Sequence, residues 1–159
     1  MKKVKDFMCH DVLFVRPNNS VFDVAKVFSK NNISGAPVVE NGKVVGVISI
    51  SDIIKFMGIR LSDGKILGTD LTQSLSMIFL KLVKMGKDFT DFKKDLERIS
   101  KTEIKHMMSK IVVATDPNAD LFEAANVMER NDVNRLPVID NGKLVGIIAR
   151  ADLIRALIE

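Results

Sequence analysis

An α+β fold is predicted, assembled from two copies of one β-α-β-β-α unit with a helical segment between them, and three observations support it. The eighteen residues from Pro37 to Ile54 return at Pro137 to Ile154, displaced by 100 positions. Residues 4–57 align with 104–157 without a gap and with 19 identities in 54 positions; self-similarity at a fixed offset means two copies of one supersecondary unit. Each copy also carries a hairpin signal, Asn41-Gly42 or Asn141-Gly142, between apolar, β-branched runs. Asn-Gly accepts the positive φ angles of a two-residue hairpin turn.

Taken in order, each copy begins with a short basic, Met-containing segment, Val4 to Met8 or Ile104 to Met108. An apolar strand is expected next, Val12 to Val15 or Ile111 to Ala114, stopped where Pro17 or Pro117 removes a ladder donor. Ser20 or Asp120 is placed as N-cap of an amphipathic helix whose apolar face is Val21, Val24, Ala25, Val27 and Phe28, or Leu121, Ala124, Ala125, Val127 and Met128. That helix should stop near Asn31-Asn32 or Asn131-Asp132. The hairpin follows, with Gly46 or Gly146 allowing a close backbone approach, and a final helix runs from Asp52 to Met57 or Asp152 to Ile158. The organisation is thus repeat 1 (1–58), a helical insertion (59–103) and repeat 2 (104–159).

The insertion is not repeated. From Thr69 or Asp70 as cap, Leu71, Leu75, Ile78, Phe79, Leu82 and Val83 fall on one helical face, with Gly86 as a stop. A second helix can start at Thr90 and bury Phe92, Leu96 and Ile99, and Thr102 is a third cap leading into repeat 2. The inserted helices are read as packing on the repeats or on a second subunit, with a solvated helical linker as the alternative, and the 69–100 stretch is a candidate surface for a protein partner.

Composition excludes several classes. With 47% apolar and 28% charged residues in 159, the chain is an ordinary globular one. No apolar run approaches the roughly 20 residues that span a bilayer, and Lys2, Lys3 and Lys5 replace any apolar signal segment, so no membrane role and a cytoplasmic location are expected. The single cysteine, Cys9, can form no internal disulfide. A formal charge of +4 spreads 24 basic among 20 acidic residues, and Trp and Tyr are absent, which argues against nucleic acid as the main partner.

The segments Ile33 to Val39 and Gly46 to Asp52, with their partners Val133 to Ile139 and Gly146 to Asp152, resemble the cystathionine β-synthase (CBS) domain family. The resemblance covers both repeats and leaves out the middle helices. It implies two sheets paired about a pseudo-twofold axis, with two related clefts that take adenosine-containing molecules such as AMP, ADP, ATP or S-adenosylmethionine. In such clefts the aspartate after the glycine strand accepts hydrogen bonds from the ribose hydroxyls, and a hydroxyl three residues earlier assists; Ser49 meets that pattern and Ala149 does not. The family mixes the repeats, so the implied Asp52 site takes Ser49 and Ser51 from its own copy and Thr115, Val133 and Asn134 from the other. The implied Asp152 site combines Arg150 with Arg16 and Ile33-Ser34-Gly35. Arg135 stands where a basic phosphate contact is expected, and its counterpart is Gly35. The Asp52 cleft is therefore the better nucleoside site.

No catalytic constellation is present. Gly58 to Ile66 lacks the spacing and terminal hydroxyl of a phosphate loop, and Cys9-His10 has no base and orienting partner. Met8-Cys9-His10 with His106-Met107-Met108 could attract a soft ion, but core filling suits these methionines better. The expectation is a regulatory, homodimeric, non-enzymatic sensor of an adenosyl compound without a required cofactor. The alternative is an interaction or nucleic-acid-binding regulatory subunit with vestigial clefts.

Overall fold

The computed structural model describes residues 1–56, 94 and 97–159. Helix starts follow from side-chain capping. Ahead of α2 (Val21–Asn31), the Ser20 Oγ accepts from the Asp23 N–H at 3.1 Å and the Asp23 carboxylate accepts from the Ser20 N–H at 3.2 Å. This reciprocal box satisfies N–H groups that the first turn leaves without partners. Asp120 accepts from the Glu123 N–H at 2.8 Å ahead of α4 (Leu121–Arg130). Both helices hand over to the next strand through a left-handed residue, Asn32 or Asp132, each at φ 51°.

The hairpins form as expected. Strands β1 (Gly35–Glu40) and β2 (Lys43–Ser49) enclose Asn41 and Gly42 at φ 51° and 76°; β3 (Arg135–Asp140) and β4 (Lys143–Ala149) enclose Asn141 and Gly142 at 50° and 81°. The final helices, α3 (Ile50–Phe56) and α5 (Arg150–Ile158), begin two residues before the expected aspartates. Asp52 and Asp152 therefore occupy the third helical position.

The described residues divide into two compact units. The first holds Met1–Phe14, Val39–Gly46 and Lys110–Glu159; the second holds Val15–Val38 and the described part of Val47–Ser109. In the first unit β3 and β4 pair antiparallel from Arg135–Ala149 to Asp140–Lys143, with an irregularity after Val138, and Lys43 pairs with Lys143. The strand order is β1-β2-β4-β3.

Each lead-in segment packs in the unit that holds the other repeat's helix. In the first unit, α1 (Val4–Phe7) donates from the Val4 and Lys5 N–H groups to the carbonyls of Ala119 and Pro117 at 3.0 and 2.9 Å, and Cys9 exchanges two hydrogen bonds with Ile147. Val4 is buried with Ala124, Met128, Leu136, Val138 and Ile148. In the second unit, Ile104 and Lys105 donate to Asn19 and Pro17 at 2.9 and 3.0 Å, and Ser109 exchanges two hydrogen bonds with Val47. Ile104 is buried there, as are Val21, Val24, Phe28, Val38, Ile48 and Ile53.

Two local expectations are corrected. The strands at 12–15 and 111–114 reduce to single parallel bridges, Val15 with Val38 and Thr115 with Val138. Val15 and Thr115 donate to the carbonyls of Pro37 and Pro137, each at 3.0 Å, but those prolines have no N–H with which to extend the ladder. Thr102 does not cap the following turn: its hydroxyl donates back to the Arg98 carbonyl at 3.0 Å, closing the helical residues 97–100, where Ile99 is buried. The helix expected from Thr69 or Asp70 through Val83, its stop at Gly86, the start at Thr90, and Phe92 and Leu96 lie outside the described residues.

Candidate ligand site

In the second unit the turn from β2 into α3 builds an acidic centre. Asp52 is half-buried, and its Oδ2 accepts from both the Ser49 N–H and the Ser49 hydroxyl at 2.8 Å, while the Asp52 N–H donates to the Ser49 Oγ at 3.2 Å. A carboxylate offers about four lone-pair positions, so this box engages only one of its oxygens. Among the described residues no donor reaches Oδ1, which leaves room for two hydroxyl donors. The Ser49 hydroxyl donates its hydrogen bond to Asp52 and can serve a ligand only as an acceptor.

Backbone bonds within the first repeat flank this turn. Ile50 donates to the Ser34 carbonyl at 3.0 Å, and Ile33 donates to Phe28. A Cβ on Gly35 would stand 3.2 Å from the Ile48 carbonyl oxygen and 3.7 Å from Ser49 Cα, so a side chain here would press on the strand that carries Ser49. Ser51 is half-buried, and Arg16 is exposed in a turn where its N–H donates to Asn19 Oδ1 at 2.7 Å.

The first unit contains the related centre with different chemistry. Asp152 Oδ2 accepts from the Ala149 N–H at 2.8 Å, and the alanine supplies no hydroxyl where the first copy has Ser49. Its Oδ1 lies 3.3 Å from the Arg155 guanidinium, which also donates to the Phe7 carbonyl at 2.9 Å. Arg135 is exposed and directly opposite Ala149 across the β3–β4 ladder. Asn134 accepts from the Arg150 N–H at 3.0 Å, and Val133 donates to Met128. Thr115 is held by its backbone between Pro137 and Ile139.

Arg150 is the first residue of the helix that carries Asp152. At about 100° per helical residue the two side chains leave α5 some 200° apart, and Arg150 lines an apolar groove of about 620 Å³ with Leu121, Phe122, Leu153, Ile154 and Leu157. Three of these are well exposed, Phe122 at 76%, Ile154 at 63% and Leu157 at 80%. Sequence reasoning passed over this face and also over Arg155. The signals were present: an exposed apolar residue at the helix start, and a cation three positions after an aspartate.

Met8 packs on the core of the first unit, Cys9 is exposed with its thiol 3.5 Å from the Asp11 carbonyl, and His10 and His106 are exposed. Among the described residues no group of three or more His, Cys, Asp and Glu is placed to hold a metal, and no helix is long and apolar enough to cross a membrane.

Repeated hairpins, each followed by a helix with an aspartate in its first turn, define a tandem α+β repeat module. The chain belongs to the CBS domain family, whose model matches residues 4–59 and 104–159. It is 40% identical over 157 residues to the uncharacterized protein MJ1426 of Methanocaldococcus jannaschii, spanning 98% of this chain and 90% of that one. It spans only 39% of a longer relative from the same organism, MJ1232. Among solved structures, the Arabidopsis thaliana CBS-pair protein CBSX2 in complex with AMP superposes with a TM-score of 0.68 at 22% identity, over 99% of this chain and 97% of that one. The CBS domain pair of MJ0100, in complex with 5′-methylthioadenosine and S-adenosyl-L-methionine, gives 0.62 at 22% identity over 98% and 99%. At these identities the shared feature is the fold.

Proposed function

We propose that this chain is a regulatory module that senses an adenine nucleotide or another adenosyl compound and anchors its ribose on Asp52. The observation that carries this reading is the contrast between the two aspartates. Among the described residues Asp52 presents Oδ1 without a partner beside the Ser49 hydroxyl, whereas Asp152 has its Oδ1 engaged by Arg155 and an alanine in place of the serine. AMP in CBSX2 and S-adenosylmethionine in MJ0100 supply the candidate ligand class. Family resemblance adds Thr115, Val133 and Asn134, and Arg135 as phosphate contact. A ligand acts as a signal only if it binds one arrangement of the protein better than another. The role is one of binding and regulation in the cytoplasm and not of catalysis.

Isothermal titration of AMP, ADP, ATP and S-adenosylmethionine tests the reading. One ligand should bind the wild type, and Asp52→Ala should weaken that binding at least roughly tenfold while Asp152→Ala leaves it. No heat with any of the four would overturn the adenosyl sensor.

A homodimer is the second part of the proposal, supported by the exposed Phe122, Ile154 and Leu157 around the groove of the first unit. Contiguous apolar surface of this kind marks an interaction face. Light scattering after gel filtration should report twice the 17.7 kDa chain mass, reverting to one chain in Leu157→Glu.

A further inference from the structure

We propose that Arg155 is the residue that keeps the second repeat's aspartate from acting as a ribose anchor, so that the number of ligands per chain is set by one side chain. This rests on the reading of Asp52 given above. The two aspartates have the same backbone setting: each is the third residue of its helix, and each accepts from the N–H three residues earlier at 2.8 Å. They differ at the outward oxygen. The position three residues on is Lys55 in one copy and Arg155 in the other. Among the described residues Lys55 makes no ion pair with Asp52, whereas the Arg155 Nη2 lies 3.3 Å from Asp152 Oδ1.

The guanidinium is held from a second side as well, since the same nitrogen donates to the Phe7 carbonyl at 2.9 Å. An arginine can serve two acceptors because its planar fork presents several donors. A single lysine ammonium on a flexible stem is far less committed to either. A pair of ribose hydroxyls offers only donors to the carboxylate, and so must displace the guanidinium from Oδ1 and break its contact with the N-terminal segment. The Arg155 and Asp152 side chains are 50% and 20% exposed, and ion pairs at that exposure contribute little to folding. Removing the arginine should therefore free the carboxylate without unfolding the unit. Ala149 lacks the hydroxyl of Ser49, so the freed site has the acceptor of the first centre without its serine and should bind more weakly.

The test is ligand stoichiometry in the full chain, with S-adenosylmethionine and AMP as probes, for wild type, Arg155→Gln, Arg155→Gln/Asp152→Ala and Arg155→Gln/Asp52→Ala. Arg155→Gln should raise the count from one to two per chain, the added site vanishing with Asp152→Ala and surviving Asp52→Ala. A purely structural role for Arg155 would move the melting temperature but not a count that depends on Asp152. Three results overturn the proposal: two sites already in the wild type, one site in Arg155→Gln that is lost with Asp52→Ala, or none in any variant. The first two leave the Asp52 reading standing and the third removes it too. A silent wild type with one Asp152-dependent site in Arg155→Gln would support the Arg155 role and reject the Asp52 anchor.

Discussion

Asp52 does two jobs with two oxygens, and the substitutions to Asn and Ala separate them. Oδ2 accepts two hydrogen bonds from Ser49, both at 2.8 Å. Asp52→Ala removes this acceptor and leaves the start of α3 without its box. Loss of a cap costs about 1 kcal/mol, within a range of about 0.5–2, which for a chain of this size lowers Tm by roughly 2–4 °C per kcal/mol. Asp52→Asn keeps a carbonyl oxygen that can take the place of Oδ2, so most of the cap survives. What it replaces is Oδ1, the charged acceptor proposed for the ribose, with an amide that donates. A hydrogen bond to a charged group contributes about 1.5–3 kcal/mol, so affinity should fall roughly 10- to 150-fold. Asp52→Asn should therefore fold nearly like the wild type and bind poorly, while Asp52→Ala should both fold and bind less well. Asp152→Asn should leave affinity unchanged. Urea unfolding and isothermal titration with AMP and S-adenosylmethionine give the two readouts. Wild-type affinity in Asp52→Asn would refute the ribose anchor, and equal destabilisation by Asn and Ala would refute the division of labour between the oxygens.

Other outcomes follow from the packing and the electrostatics. Gly146→Ala places a Cβ 2.5 Å from Met8 Sδ and 3.1 Å from the Cys9 carbonyl oxygen; the sulfur can swing away but the carbonyl is tied to Ile147, so about 1–3 kcal/mol of stability should be lost, as read by the urea midpoint. Phe28→Ala, at a residue only 1% exposed, should cost about 3–5 kcal/mol by the same assay. The Ser20 hydroxyl, and next its backbone N–H, hold the exposed Asp23 carboxyl below the usual carboxylate range. A carboxylate lowered in the folded state stabilises fully above its unfolded value, near pH 4, and loses that contribution as pH falls through its native value. Ser20→Ala should flatten the acid limb of the stability–pH curve in that window, and an unchanged limb would count against the Ser20–Asp23 pair as its source.

Much of the local structure was legible because it depends on few neighbours. Asn41-Gly42 and Asn141-Gly142 take positive φ because those two residues tolerate it best, and Ser20 and Asp120 cap their helices through bonds that span three residues. The candidate site was legible in part for the same reason: Ser49 and Asp52 are three positions apart and meet within one turn. The strands at 12–15 and 111–114 were overread, because a β-branched run announces extended chain but not whether its partner can return a hydrogen bond. Arg155 was missed because its meaning depends on Phe7, 148 positions away.

By itself, then, the sequence determined the duplicated unit, its hairpins, its caps and the aspartate of each copy, all features set by contacts within a few residues. Only the tertiary structure decided which lead-in docks where. The two lead-ins are alike, Lys5-Asp6-Phe7-Met8 and Lys105-His106-Met107-Met108, and so are the turns that receive them, Pro17-Asn18-Asn19 and Pro117-Asn118-Ala119. The pattern could be satisfied within a repeat or by exchange. In the structure Val4 and Lys5 donate to the turn of the second copy, and Ile104 and Lys105 to the turn of the first. That choice brings Phe7 to Arg155, and with it one aspartate is engaged while its twin, among the described residues, keeps an oxygen open.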